Sequence, residues 1–245
     1  MIKLALMASI IAGCYWGPGL YRNINTWWAK EVRFPLTSVS VEGNHYLPDD
    51  SLLAMASLPM GTSVFDINLS AKAHTMEQHP WIERVRLFLR LPSTVVIRIK
   101  EVEPLALIPG NPMGVVGSNN DYLGTIWKGV TWDLPLLAGL KIGHLKIGEQ
   151  ITSDIALTLI NCALMIRSST PEVFQIISDF RLKDDYIFLT LEDGKSQVQA
   201  YKNAQNMSWQ VLKEFLINSR RDFAEQSINI DLRFPQWVII SPING

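Results

Sequence analysis

The feature that most constrains this chain is its start. Ile2 to Tyr21 reads IKLALMASIIAGCYWGPGLY and carries a single charge, Lys3, at its edge. About 20 apolar residues rising 1.5 Å each match a hydrocarbon core of roughly 30 Å, so residues 1–28 are expected to form a short tail and one membrane crossing. Leu4, Leu6, Ile10, Ile11 and Trp16 are the candidate lipid-contacting residues, and Tyr15, Trp16, Tyr21, Trp27 and Trp28 pattern as an interfacial aromatic belt. Two other readings compete. Leu4 to Ala12 could serve as the apolar region of a cleaved signal peptide, although the apolar run continues past any such site into Tyr15 and Trp16. Ile11-Ala12-Gly13-Cys14 also resembles a lipoprotein processing box, which would lipidate Cys14. Counting charges does not orient the span, because the α-amino group and Lys3 face Arg22 and Lys30 across it. Everything after Trp28 reads as folded protein without a second span, so the bulk is expected outside the cell membrane and the N-terminus inside.

The remainder is compatible with two small domains. The chain has 245 residues, 22 Lys and Arg against 23 Asp and Glu, and only 18% charged residues. A net charge of -1 argues against an electrostatic nucleic-acid binder, and 48% hydrophobic residues argue against disorder. Cys14 and Cys162 cannot pair if one lies in lipid and the other in a folded domain, and Cys162 reads as a small buried hydrophobe.

Phe34 to Glu42 alternates as a half-buried strand that ends at the Gly43-Asn44 turn. Pro48-Asp49-Asp50 and Asn68-Leu69-Ser70 each offer helix starts, with Pro59-Met60-Gly61 as a breaker between them and Pro80 as the end of the second. Trp81 to Leu89 and Thr94 to Glu103 then read as a hairpin around Leu91-Pro92. The order is strand, helix, helix, strand, strand.

These residues resemble the POTRA module of the FtsQ/DivIB cell-division proteins. The likeness rests on Val39-x-Val41-x-Gly43-Asn44, Pro80-Trp81-Ile82-x-x-Val85, Pro92-x-x-Val95 and Ile97-x-Ile99-x-Glu101-x-x-Pro104-x-Ala106. Downstream, Leu134-Pro135-Leu136-Leu137-x-Gly139 and Ile230-Asp231-Leu232-Arg233-Phe234 resemble further family segments. The resemblance implies an α+β chain with a transmembrane helix, a POTRA-like βααββ module over residues 34–104, and a β-rich domain over residues 105–245 with two covering helices. The family's Gly-Arg-Gly-Asp-like turn stands here as Ala200-Tyr201-Lys202-Asn203, which makes Tyr201 and Lys202 candidate partner contacts. A family aromatic just beyond the last strand would fall near Pro242.

In the second domain, eight of the 15 glycines lie between Leu105 and Gly148, where short strands are expected at Met113 to Val116, Leu123 to Trp127 and Leu134 to Leu137. Ile155, Leu159, Cys162, Ala163 and Ile166 recur at helical spacing across Ile151 to Arg167. Strands are expected at Phe174 to Phe180, Arg181 to Leu182, Tyr186 to Leu191 and Gln197 to Ala200, with a hairpin turn at Glu192 to Lys195. A helix is expected from Ala204 to Arg220, and strands at Ile228 to Leu232 and Trp237 to Ile240.

No phosphate loop, nucleophile elbow or zinc motif occurs. His74 and His79 are five apart and do not share a helix face. Glu101 and Glu103 could pair for acid–base work but read as a solvated strand end, and Arg84, Arg86, Arg90, Arg98 and Lys100 as the wet face of a sheet. No enzyme, cofactor, metal or small-molecule substrate is expected.

The C-terminal run FPQWVII suggests an apolar edge strand, because Pro235 cannot donate to a ladder. Phe234, Trp237, Val238, Ile239 and Ile240 are therefore candidates for receiving an extended partner strand. The resemblance implies that the partners are other divisome membrane proteins, including small single-span coiled-coil proteins, bridged at the septum. The alternative is a POTRA-bearing periplasmic chaperone or translocation factor, anchored by lipid on Cys14.

Overall fold

A computed structural model describes residues 34–127, 132–140, 143–219, 227–234 and 237–243. The expected membrane segment, with Leu4, Leu6, Ile10, Ile11 and Trp16, lies outside the described residues, as does Pro235. Among the described residues no helix is long and apolar enough to cross a membrane. The chain divides into two compact units, Met1–Gln78 with Arg84–Glu101, and His79–Glu83 with Val102–Gly245.

The first unit follows the expected order: β1 (Ser38–Glu42), α1 (Asp49–Ala56), α2 (Leu69–Met76), β2 (Ile82–Arg90) and β3 (Thr94–Glu101). The sheet order is β1-β3-β2, with β1 parallel to β3 from Ser38 opposite Thr94 to Glu42 opposite Arg98. Ahead of β1, Pro35 bridges Ser63, so the predicted strand is shorter and preceded by an isolated pairing. Asp49 and Asp50 complement the dipole at the start of α1, and the Asn68 side chain accepts the Ala71 N–H at 3.0 Å to cap α2. Gly43 has φ +89°, and a Cβ there would lie 2.4 Å from the Ile99 carbonyl oxygen, so the turn demands glycine.

Glu101 is not a solvated strand end. Only 8% exposed, it accepts the backbone N–H groups of His45, Tyr46 and Leu47, each at 2.8 Å, and thereby holds the loop into α1. Its neighbour Glu103 pairs instead with Arg167 at 2.6 Å. On the outer sheet face, Glu42 binds Arg98 at 2.8 Å and Arg90 at 3.2 Å, and the Arg98 guanidinium lies 5.1 Å from the Phe88 ring centre. The bond to Arg98 foremost holds the Glu42 carboxyl below its usual pKa.

The second unit is built on a nine-stranded sheet of order β12-β11-β10-β9-β8-β7-β4-β5-β6. Its strands are β4 (Pro104–Ile108), β5 (Gly114–Gly117), β6 (Tyr122–Thr125), β7 (Leu136–Ala138), β8 (Ile177–Lys183), β9 (Tyr186–Leu191), β10 (Gln197–Tyr201), β11 (Ile228–Asp231) and β12 (Ile239–Pro242). The helices are α3 (Asp154–Ser169), α4 (Pro171–Phe174) and α5 (Asn206–Ser219). Fully buried Phe180, Leu137, Leu159, Ile160 and Trp209 belong to one continuous core, each such side chain contributing about 1.5–3 kcal/mol.

Three expectations need correction. Pro104 opens a strand instead of ending one. It needs no N–H at that position, and four of the five β4 residues are buried, which erases the alternation that would betray a strand. The buried stripe of α3 is Ala156, Leu159, Ile160, Cys162, Ala163 and Ile166, so four of the five expected positions face the core, whereas Ile155 is exposed and Ala156 is buried in its place. Residues 171–174 form a helical turn with Pro171 at its first position, so the following strand starts at Ile177, not at Phe174.

Candidate partner-binding edge

β10 and β11 run parallel, with Val198 opposite Ile230, a pairing that requires the crossover supplied by α5. β12 then returns antiparallel to β11, with Ile230 opposite Ile240 and Asp231 opposite Ile239, and forms one edge of the sheet. The final strand is displaced from the expected Trp237–Ile240 to Ile239–Pro242. The Ile243 N–H donates to the Ser227 carbonyl at 2.9 Å. Alternation along an antiparallel ladder therefore turns the N–H groups of Ile239 and Ser241 inward, toward β11, and that of Ile240 outward. Val238 lies one pleat earlier on the same outward row. Pro242 falls on that row too, where its missing N–H costs the internal ladder nothing.

Side chains alternate separately. Val238 and Ile240 pack half-buried against the core, whereas Trp237 is 72%, Phe234 51% and Ile239 48% exposed. Phe234 and Trp237 are joined by a turn in which the Trp237 N–H donates to the Phe234 carbonyl at 3.1 Å.

Tyr201 and Lys202 belong to a different place. They lie at the end of β10, two strands from β12, or about 10 Å at strand spacing. The exposed Tyr201 ring stacks at 5.1 Å on Tyr186, over which the Arg233 guanidinium lies at 5.5 Å. Arg233 donates from Nε and Nη2 to the Asp231 carboxylate at 2.9 and 2.6 Å, and its backbone N–H donates there as well, at 2.9 Å. Hydrogen bonding by Arg233, above all, holds Asp231 below the usual carboxylate range, and Asp231 in turn raises Arg233. Tyr201, Ala204, Met207, Leu232 and Arg233 line a cleft of about 250 Å³. Lys202 forms an exposed ion pair with Asp185 at 2.7 Å. The candidate contacts thus form an edge group, Phe234 and Trp237 to Ile240, and a corner group at Tyr201 and Lys202. The Asp231–Arg233–Tyr186 stack beneath the corner was not foreseen; its one sequence signal was the Asp-x-Arg spacing.

Among the described residues no cluster of three or more His, Cys, Asp or Glu side chains could hold a metal. Burial pushes the Cys162 thiol up to about 12, far from a reactive thiolate. His79 Nδ1 accepts the Trp81 N–H at 3.3 Å, and burial lowers its pKa.

The βααββ unit followed by a sheet-built unit is the arrangement of a POTRA-bearing protein. Residues 34–101 match the family described as POTRA domain, FtsQ-type. Over 238 residues the chain is 26% identical to the cell division protein FtsQ of Myxococcus fulvus, an alignment covering 92% of this chain and 78% of that protein. It is 26% identical to the FtsQ of Syntrophotalea carbinolica, over 78% of this chain and 62% of the relative. Against the cell division protein DivIB of Clostridium acetobutylicum it is 29% identical, over 49% of each chain. Over most of its length the chain is thus similar to FtsQ and DivIB cell division proteins, and its residues 34–101 are similar to their POTRA domain.

Proposed function

We propose that this protein is a membrane-anchored divisome scaffold, single-pass in the bacterial inner membrane with its bulk in the periplasm. It binds and bridges other cell-division proteins at the septum, including small single-span coiled-coil proteins. The work is binding, not bond chemistry. One observation carries the mechanism: β12 is an edge strand with an outward backbone row and exposed Trp237 and Ile239 beside it. An extended segment could pair with that row, taking its register from the backbone and its selectivity from the aromatic anchors. Co-location in one membrane raises the effective concentration of such partners, so each interface can be weak. The family names of the relatives support the division reading.

The test is affinity capture of the full chain from its own cells, comparing the unaltered protein with Trp237→Glu and Val238→Pro. Both variants should lose the division partners while the domain keeps its unfolding transition. Capture of the same partners at undiminished yield by both would contradict the edge mechanism. Depletion should give long unseptated filaments; normal septa with outer-membrane defects would contradict the division role.

A further inference from the structure

The first unit has a second surface that partner binding at β12 leaves unused. Four large hydrophobic side chains of this unit are exposed among the described residues, and three of them gather at one end: Met60 at 57%, Phe65 at 59% and Leu91 at 62%. That end is where the described chain begins. The Phe65 ring lies 6.0 Å from Phe34, and the Val64 N–H donates to the Phe34 carbonyl at 2.9 Å. Gly61, next to Met60, donates its N–H to the Leu36 carbonyl at 2.9 Å. Leu91 lies in the turn between β2 and β3, where the Ser93 carbonyl accepts the Thr37 N–H at 2.9 Å. β1 and its parallel neighbour β3 both start at this end, while Glu101 and the loop it holds lie at the other.

We infer that this end of the first unit rests on the bilayer that holds the N-terminal segment, with Met60, Phe65 and Leu91 entering the interface. Chain length argues for lipid as the occupant. Only residues 29–33 separate the expected membrane segment from Phe34, six Cα steps of at most about 3.5 Å, so the end cannot lie more than roughly 20 Å from the membrane surface. Exposed apolar side chains held that close to an interface gain by burial there, and an aromatic residue is favoured at headgroup depth. The exposed neighbours Asp66 and Arg90 limit the depth to the headgroup–acyl boundary. The contact would orient the unit on the membrane, which a five-residue tether alone does not do.

The test places nitroxide labels on the full chain in nanodiscs of phosphatidylethanolamine and phosphatidylglycerol. Labels go at Phe65→Cys and Leu91→Cys, with Asp50→Cys at the far end of the unit as reference, all in a Cys14→Ala chain. Buried Cys162 should stay unlabelled. Relaxation at 65 and 91 should be faster with oxygen than with a water-soluble nickel chelate by severalfold, and the order should reverse at 50. Equal aqueous behaviour at all three positions would overturn the inference. So would shielding that appears only with two copies per disc, or only after a second division protein is added, because the patch would then be a protein interface. None of these labels touches residues 227–243, so the result is independent of the edge-strand mechanism.

Discussion

The two edges of the nine-stranded sheet are treated differently by the same chain. At β6 the outer side is closed: the Tyr122 N–H donates to the Glu149 carbonyl at 2.9 Å, the Gly148 N–H to the Tyr122 carbonyl at 2.8 Å, and the Ile151 N–H to the Asn120 carbonyl at 3.0 Å. Asp121 and Gln150 form an antiparallel bridge in the same stretch. At β12, among the described residues, no backbone bond closes the outer side, and Trp237 and Ile239 stand exposed beside it. An open apolar edge invites pairing with another chain, and proteins commonly blunt it with loops, charge or proline. One short loop suffices for that at β6; under the proposed function a partner strand would do the same at β12.

The largest effect should come from the open edge. Trp237→Glu should weaken partner capture by at least about 2 kcal/mol, roughly 30-fold, as for a central aromatic anchor. Its unfolding midpoint should not move, because the side chain is 72% exposed. Titration of the purified variant against its captured partner, alongside thermal denaturation, checks both halves of that statement.

The closed edge gives the converse. Gly148 has φ +84°, and a Cβ there would lie 2.9 Å from Pro80 Cγ, so Gly148→Val should cost about 1–3 kcal/mol in chemical denaturation. Hydrogen exchange at the Tyr122 amide should accelerate while β12 is unaffected. If Tyr122 stays protected, the loop is not what covers β6.

Asp231 links β11 to the corner. Its folded pKa is depressed, so its contribution to stability is present above the unfolded value near about 4 and is lost as pH falls through the folded value. Asp231→Asn should therefore cost about 1–3 kcal/mol at neutral pH and flatten the acid limb of the stability curve. An acid limb as steep as that of the unaltered protein would remove Asp231 from this role. The smallest effect belongs to Lys202→Ala. The ion pair with Asp185 is exposed on both sides, so stability should change by less than about 0.5 kcal/mol. A larger loss of partner capture in this variant would extend the interface from the edge to the corner.

How much of this was legible beforehand depended on whether a residue's environment is local. The βααββ order followed from alternation, Asn68, Pro80 and Gly43, all of which act within a few residues. β4 was not legible, because a strand covered on both faces loses its period-two pattern. Glu101 was misread as solvated because its three donors lie more than 50 positions away in sequence. For the candidate site, the apolar character of residues 234–240 was visible. The outward row was not, since it depends on the ladder with β11 and on the Ile243 bond to Ser227. The separation of Tyr201 from β12 likewise required the sheet order.

The central claim is that a partner strand pairs with the outward row of β12. Amide-resolved hydrogen exchange on the full chain, alone and in complex with its captured partner, tests it most directly. The account predicts that the amides of Val238 and Ile240 slow on binding, while the inward amide of Ile239 changes little. Unchanged exchange at Val238 and Ile240, with protection appearing elsewhere in the chain, would contradict it.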